Sequence, residues 1–265
     1  MRRSLLLSVA LCALCALPSH AQGTVSGLSY DFRTRTSVGL DYKLAKGLHL
    51  NGEYEMRTEN TLSGFDSHRA TVGMDYSFTP WLKAGLSYTY IYHHRTADWT
   101  PRHRLSADVT FAWKDRYWTV SLKEQLRLTH KTEEMNYCQE VRNPVLLKSR
   151  LKVKYKGFKP LRPYAFLEAR NILNDPSLSA TWSTASLAYA DYEFTGYNSA
   201  YFNRFRGALG LEWWPTKHHC IDICAMADYC YDKHIDVDKT HSYLKSYTWS
   251  QALNGILSVG YKFRF

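Results

Sequence analysis

The sequence of 265 residues lacks long hydrophobic runs outside its N-terminal segment. A transmembrane helix needs about twenty mainly apolar residues, so this absence excludes a membrane protein built from helices. Acidic residues are also scarce relative to basic ones, at 24 Asp and Glu against 34 Lys and Arg. A basic protein can bind nucleic acid or an anionic membrane surface. Because the chain carries an export signal, described next, we predict no nucleic-acid partner.

The N-terminal segment 1–21 has the three parts of a secretory signal peptide. Two arginines follow the first methionine, an apolar stretch covers 5–17, and Ser-His-Ala at 19–21 forms a small-x-small cleavage site. We therefore predict that 1–21 is removed and that 22–265 forms one exported domain. The removed segment shows no lipoprotein pattern, so no lipid anchor is expected.

Cysteines are few in the mature chain, and their spacing matches no zinc pattern. The four are Cys138, Cys220, Cys224 and Cys230. The last three share one face of a predicted strand, the face directed to the lumen. Cys138 in a loop could reach Cys230 as a disulfide, because an exported protein meets an oxidising compartment. The alternative is four free cysteines.

Strict alternation of apolar and polar residues runs through most of the remaining chain. In LHLNGEYEMRTE, residues 48–59, Leu50 and Tyr54 share one face while Glu53 and Arg57 share the other. A helix would return to its apolar face every 3.6 residues, so a repeat of two predicts strands. Tight turns are expected at 45–47, 79–80 and 114–116, and longer polar connections at about 60–67, 93–101, 131–145, 174–199 and 232–248. Short turns at one end and long loops at the other are typical of membrane barrels.

Eleven strands are clear from this pattern, and bacterial single-chain barrels have an even number. We therefore assign Thr24–Phe32 as a twelfth strand, with ten strands as the alternative, and expect both ends of the barrel domain on the short-turn side. The predicted fold is all-β: a closed, antiparallel, up-and-down transmembrane β-barrel. Aromatic residues beside the tight turns, such as Trp81 and Trp113, suit a membrane interface, so outer-membrane lipid is an expected partner.

The segment ILSVGYKFRF at the C-terminal end of the sequence alternates in the same way. Val259, Tyr261, Phe263 and Phe265 share one face. A strand of this kind ending in phenylalanine resembles the signal that the outer-membrane insertion machinery reads. We therefore predict this machinery as a partner, the cell outer membrane as the location, and closure of this strand against Thr24–Phe32.

Several stretches together resemble a family of Gram-negative outer-membrane barrels catalogued only as a domain of unknown function. They are GLHLNGEYEMRTE, HRATVGMDYSF with WLKAGLSYTYIY, RPYAFLEARN and NRFRGALGLEWWP. The recurrent elements correspond here to Glu55 with Arg57, His68 with Arg69, Arg162-Pro163-Tyr164 with Glu168, and Arg204 and Arg206 with Gly210. The resemblance implies a barrel over nearly the whole mature chain. It implies no activity, because the family has none assigned.

The polar faces of the predicted strands carry charged side chains of both signs, which should point into the lumen. The predicted lumen charge network comprises Glu53, Glu55, Arg57, Arg69, Asp75, Arg104, Asp108, Glu168, Arg170, Arg204, Arg206, Glu212, Asp222 and Asp228, and the same faces carry Arg102, Lys123 and Arg127. Opposite charges on neighbouring strands would pair across a lumen of modest width. One interpretation is an ion-pair network that stiffens and partly fills the barrel. The other is a lining that selects among solutes.

The segment KSRLKVKYK has the strongest local charge bias. It places Lys148, Arg150, Lys152, Lys154 and Lys156 on one face of one strand as a charge ladder. Such side chains lie about 7 Å apart and repel each other unless acids lie opposite. A ladder balanced by acidic neighbours would be structural, whereas an unbalanced ladder would favour anions.

No pattern specific to catalysis is present, and no catalytic residue, metal or cofactor is predicted. His93, His94, Asp98, His103, His234 and Asp236 could meet near the outer rim. Our leading hypothesis is a non-enzymatic, narrow or partly plugged pore for small anionic solutes. One alternative is a structural or surface-interaction barrel that binds a partner through its long loops, above all 174–199. The third is a rim enzyme of lipase or protease type.

Overall fold

A computed structural model describes residues 24–95, 98–184, 188–238, 240 and 243–265. The predicted signal peptide lies outside these residues. The strands are β1 (Thr24–Ala45), β2 (Leu48–Glu59), β3 (Gly64–Ser77), β4 (Leu82–Arg95), β5 (Asp98–Lys114), β6 (Trp118–Lys131), β7 (Val145–Tyr155), β8 (Leu161–Ser183), β9 (Ala188–Trp213), β10 (His219–Val237) and β11 (Leu244–Arg264). They form one closed barrel in chain order, with β1 beside β11. Among the described residues, no helix is long and apolar enough to cross a membrane.

The alternation along each strand produces a barrel that is apolar outside and charged inside. Leu167 and Leu209 face outward and are 67% and 71% exposed. Arg206 and Asp228 face inward and are 7% and 1% exposed. Successive side chains of a strand point to opposite faces, so every strand contributes to both surfaces. The protein therefore buries its charges in the lumen and presents its large hydrophobic side chains on the outer wall.

The barrel is all-β and closed, as predicted, and the described residues form eleven strands rather than twelve or ten. The segment predicted as a twelfth strand is the first half of β1. No glycine or proline interrupts the chain between Phe32 and Val38, and pairing with β11 is continuous from Leu28 to Asp41. The predicted closure of the C-terminal strand against Thr24–Phe32 is confirmed.

The odd strand number changes how the barrel closes. With eleven strands the first and last run in the same direction, so β1 and β11 pair in parallel while the other neighbours pair antiparallel. The prediction of a purely antiparallel barrel is therefore wrong at this one seam. Thr24 lies at the end with the long hairpins and Phe265 at the end with the short turns, whereas both ends were expected on the short-turn side.

Most of the predicted long loops are continuations of the strands. β8 and β9 pair, with several register shifts, up to Ser183 and Ala188, and β10 and β11 pair up to Val237 and Leu244. The tall hairpins β8–β9 and β10–β11 thus rise beyond the shorter β1–β5 side. Within the described residues, only 132–144 forms a long connection without strand structure.

The connection 132–144, called the mouth loop below, packs against the tall hairpins. Cys138 is buried with Ile235, Val237 and Leu244 in a small hydrophobic cluster. The side-chain amide of Gln139 donates to Asp236 at 3.1 Å. The mouth loop therefore bridges from β6 and β7 to β10 at the upper end of the barrel.

The strands are strongly tilted, which determines which side chains meet inside. The residues paired with Arg35 can be traced from strand to strand around the barrel in both directions until the two paths meet on β5. The path through β2 ends at Thr100 and the path through β11 ends at Lys114. The two end points are fourteen residues apart, and this offset is the shear of the barrel. With eleven strands, this shear corresponds to a tilt of about 40° and a backbone radius of about 11 Å.

Outward-facing aromatic side chains gather at two levels of the wall. Tyr42, Trp113 and Trp213 lie near the short turns, and Phe32 and Tyr92 lie near the base of the hairpins. About ten residues of strand separate the two levels, which at this tilt is about 25 Å.

Candidate functional site in the barrel lumen

The lumen contains a cavity of about 730 Å³. It extends from Arg33, Asp66 and Arg102 at the hairpin end to Trp214 and Arg264 at the short-turn end. Its lining holds sixteen Lys and Arg side chains against six Asp and Glu. The lining of this cavity therefore carries an excess of positive charge.

Glu168 on β8 is the acid at the centre of the ion-pair network. Its carboxylate lies 3.4 Å from the Lys148 ammonium, 2.5 Å from the Arg150 guanidinium and 3.3 Å from that of Arg206. Arg206 also donates to Asp228 at 2.9 Å, and Arg204 lies 3.2 Å from the same carboxylate. These contacts link β7, β8, β9 and β10, so opposite charges on neighbouring strands pair as the sequence suggested.

The lower part of the charge ladder has an acid of its own. Glu212 on β9 contacts Lys152 at 3.4 Å and also accepts a hydrogen bond from Lys154. Lys156, at the short-turn end, instead donates to the backbone carbonyl of Asp115 at 3.2 Å. Together with the contacts of Glu168, this places acids beside the first four members of the ladder.

The other predicted network residues also face the lumen. The remaining contacts are Arg57 with Glu55, Arg69 with Asp66, Lys83 with Asp75, Lys123 with Asp108, and the Tyr164 hydroxyl donating to Asp222, while Glu53 lines the cavity. An ion pair with a cation on the same or an adjoining strand is thus present for Glu55, Asp66, Asp75 and Asp108.

A belt of cations surrounds the lumen at one level. Directly paired residues on neighbouring strands differ in height along the barrel axis by about 1.3 residues, because the shear is shared among eleven strands. Corrected for this rise, eight cations from eight strands fall within about two residues, or about 5 Å, of one level. This cationic belt comprises Arg35, Arg57, Arg69, Arg104, Arg127, Lys148, Arg170 and Arg206.

Three members of the belt have neutral partners. The Nε of Arg104 donates to Thr129 at 3.0 Å, that of Arg127 to Gln125 at 2.8 Å, and that of Arg170 to Asn203 at 2.8 Å. In the described part of the chain, none of the three makes an ion pair or a side-chain hydrogen bond to any other residue. We call Arg104, Arg127 and Arg170 the arginine cluster.

The members of the arginine cluster are close enough to repel each other. Arg104 experiences Coulombic repulsion from Arg127 and Arg170, and Arg170 experiences it from Arg127. Like charges held together in a lumen of this kind attract anions. The arrangement can therefore bind or conduct negatively charged solutes.

One belt residue, Arg35, was absent from the predicted network. It lies on β1, just after Thr24–Phe32, the part of this strand that the sequence interpretation assigned as a separate strand. The alternation of Arg33, Arg35 and Ser37 opposite Val38 and Leu40 is the signal that would have found it.

The family model described as "Protein of unknown function (DUF2490)" matches residues 32–238, more than three quarters of the chain. The chain belongs to this family. A search of curated proteins finds no match. The resemblance noted from the sequence is thereby confirmed at the level of the family.

The motifs that suggested the family meet in the lumen of this DUF2490 barrel. Arg206 and Glu168, from two different motifs, form an ion pair. The ring of Tyr164 lies over Gly210, where a Cβ would come within 2.3 Å of it. All eight residues of the cationic belt fall within the matched range.

All four cysteines of this DUF2490 barrel are free. The alternative disulfide between Cys138 and Cys230 is not formed, because Cys138 packs instead on the hydrophobic cluster beside Ile235. Cys220 and Cys224 line the cavity. Among the residues that the structure describes, no group of His, Cys, Asp and Glu is arranged to hold a metal.

The rim residues considered for catalysis lie apart. His93 contacts Asp66 and His103 contacts Tyr88 on one side of the barrel, while His234 contacts Ser250 on the other. Asp236 instead accepts a hydrogen bond from the Gln139 amide. Asp98 pairs with Arg95 across β4 and β5, next to the pair formed by His94 and Trp99. The structure does not bring the six residues into one site.

Proposed function

We propose that this protein spans the outer membrane of a Gram-negative cell and that its lumen is a narrow passage for small anions. The observation that carries the proposal is the cationic belt inside a wall that is apolar outside. Soluble monomers rarely expose apolar patches larger than a few hundred Å². An outer wall this apolar, with aromatic side chains at two levels about 25 Å apart, supports a lipid environment.

The lining supports the anion preference. Rings of Arg or Lys side chains select anions in pores, and rings of Asp or Glu side chains select cations. Four members of the charge ladder, which first suggested anions, each contact an acid, either Glu168 or Glu212. The three members of the belt that have neutral partners contact no acid of the described chain, so the belt is the proposed selectivity element.

The membrane location can be tested with two matched leucine substitutions. Leu209 lies on the outer wall between the two aromatic levels, whereas Leu62 lies in the β2–β3 turn beyond them. We expect Leu209→Arg to lower the stability of the barrel in lipid vesicles by about 2–4 kcal/mol, the cost of arginine near the bilayer centre. Leu62→Arg should change it by less than about 0.5 kcal/mol. Equal effects of the two would argue against a membrane span.

The passage can be tested by planar-bilayer recording across a KCl gradient. We expect the purified barrel to conduct with a reversal potential that indicates chloride preference. Arg104→Gln should reduce that preference, because it removes a charge from the belt. Arg116→Gln is the matched control, since it removes the same charge from the exposed β5–β6 turn. A barrel that passes no current, or prefers potassium, would refute the pore.

The tall hairpins favour a second candidate, a barrel that binds a partner outside the cell. Trp182, Tyr197 and Tyr243 are 50%, 40% and 52% exposed on these hairpins. Replacing 177–196 by Asn-Gly would shorten β8–β9 and leave the lumen intact. Loss of binding on a glycan array, with unchanged conductance, would support this candidate. Unchanged binding would oppose it.

A further inference from the structure

The arginine cluster is built like a binding site rather than a simple charged wall. Each of its guanidiniums is tethered through Nε to a neutral side chain on the same strand or a neighbouring one. The tether holds one nitrogen of each guanidinium, and all three residues line the cavity. A preorganised guanidinium fork is the preferred protein group for binding carboxylate and phosphate oxygens.

The acids nearest the arginine cluster are already engaged. Glu168 attracts Arg127, but it contacts Lys148, Arg150 and Arg206. Asp232 attracts Arg170, but it accepts a hydrogen bond from Asn203 at 2.9 Å. None of these carboxylates contacts a guanidinium of the cluster, so the cluster is open to an anion from outside the chain.

The number and origin of the forks indicate which anion fits. The three residues come from β5, β6 and β8, so their forks approach the lumen from different directions. A planar carboxylate accepts one fork through its two oxygens, whereas a tetrahedral phosphate group presents three oxygens and about two charges near pH 7. We propose that the arginine cluster is a binding site for a phosphate group, either inorganic phosphate or a phosphate monoester. This inference rests on the proposed function, because it assumes a lumen open to solutes.

Titration calorimetry of the whole barrel in detergent micelles tests the site. Inorganic phosphate and glycerol phosphate serve as separate probes, with NaCl keeping the ionic strength constant. We expect one saturable site for at least one probe, and binding of glycerol phosphate would extend the site to esters. Arg127→Gln should weaken binding at least about tenfold, since it removes hydrogen bonds to a charged group. Arg127→Lys should also weaken it, because lysine keeps the charge but loses the fork.

Thermal unfolding provides a second measurement that does not depend on calorimetry. Phosphate should raise the Tm of the unaltered barrel, since a ligand that binds only the folded state stabilises it. Arg127→Gln should lose this rise while its Tm without phosphate does not fall, because the substitution relieves repulsion. The matched control Arg116→Gln should behave like the unaltered barrel.

The outcomes separate this site from the pore. Phosphate binding without chloride current would refute the pore and keep the site. Chloride current with no saturable phosphate binding would overturn the site and leave the pore. So would phosphate binding by Arg127→Gln and Arg127→Lys that is as tight as binding by the unaltered barrel.

Discussion

The guanidinium of Arg206 donates to the carboxylate of Asp228 at 2.9 Å, and both side chains are buried in the lumen wall. The two residues face each other across β9 and β10. A second acid, Glu168, contacts the same guanidinium from β8. One arginine therefore joins three strands of the barrel, and its partners lie 38 and 22 positions away in the chain.

Removing the charge of Asp228 should destabilise the barrel strongly. Asp228→Asn leaves Arg204 and Arg206 with less compensation, and loss of one partner of a buried ion pair costs about 3 kcal/mol or more. Urea unfolding in lipid vesicles, followed by tryptophan fluorescence, measures the change. Asp115→Asn, in the exposed β5–β6 turn, is the control and should stay within about 0.5 kcal/mol. Similar values for both would show that the network does not stabilise the fold.

An acid placed beside the belt should reduce its preference for anions. Thr129→Asp puts a carboxylate at the atom that accepts from Arg104 at 3.0 Å. The new ion pair should lower the chloride preference measured by reversal potential. Ser121→Asp adds the same charge lower on β6 and should have a smaller effect. The belt would not be the selectivity element if the two variants shifted the reversal potential equally.

Glycine at position 210 should be required by the ring that covers it. A Cβ there would lie 2.3 Å from Tyr164, whose hydroxyl donates to Asp222 at 2.7 Å and whose ring stacks with the Lys152 ammonium at 3.5 Å. Gly210→Ala should therefore cost about 1–3 kcal/mol of unfolding free energy, as overpacking does. Gly52→Ala is the control, because nothing lies within 4 Å of its Cβ position. A neutral Gly210→Ala variant would mean that the tyrosine can move freely.

Acid should loosen the mouth loop. Burial alone would raise the pKa of Glu133, but the hydrogen bond and charge of Arg102 hold it below its usual value of 4.5. A carboxyl with a lowered pKa contributes stability above its unfolded pKa and loses it as the pH falls through the folded value. The anchoring of 132–144 should therefore be complete near pH 6 and should weaken as the pH falls below 4.5 and through the lower folded pKa of Glu133.

The buried thiol of Cys138 reports on this loosening. Its labelling by dithiodipyridine, measured by peptide mass spectrometry, should accelerate between pH 6 and pH 3.5 in the unaltered barrel. Glu133→Gln carries no titrating group there, so its labelling should be faster at pH 6 and change less with pH. Parallel pH profiles for both proteins would exclude Glu133 as the anchor.

Local sequence pattern was sufficient for much of the fold. The repeat of two assigned the strands, the inward and outward faces, and the tight turns, because each depends only on neighbouring residues in one strand. It also identified most of the charged side chains of the lumen, but not Arg33, Arg35, Asp66, Lys262 and Arg264. The strands that the repeat predicted were too short at the tall hairpins. There, polar segments such as 174–183 continue the strand pairing beyond the part in which apolar residues alternate.

The strand number and the belt were decided by closure of the barrel. Whether Thr24–Phe32 is a separate strand depends on its pairing with β11, more than 200 positions away. The level of Arg35 relative to Arg127 or Arg170 depends on the shear summed over all eleven strands, which no single strand contains. The sequence by itself therefore determined that the lumen is charged. Only the tertiary structure decided that eight of its cations lie at one level, because register and tilt are properties of the closed sheet.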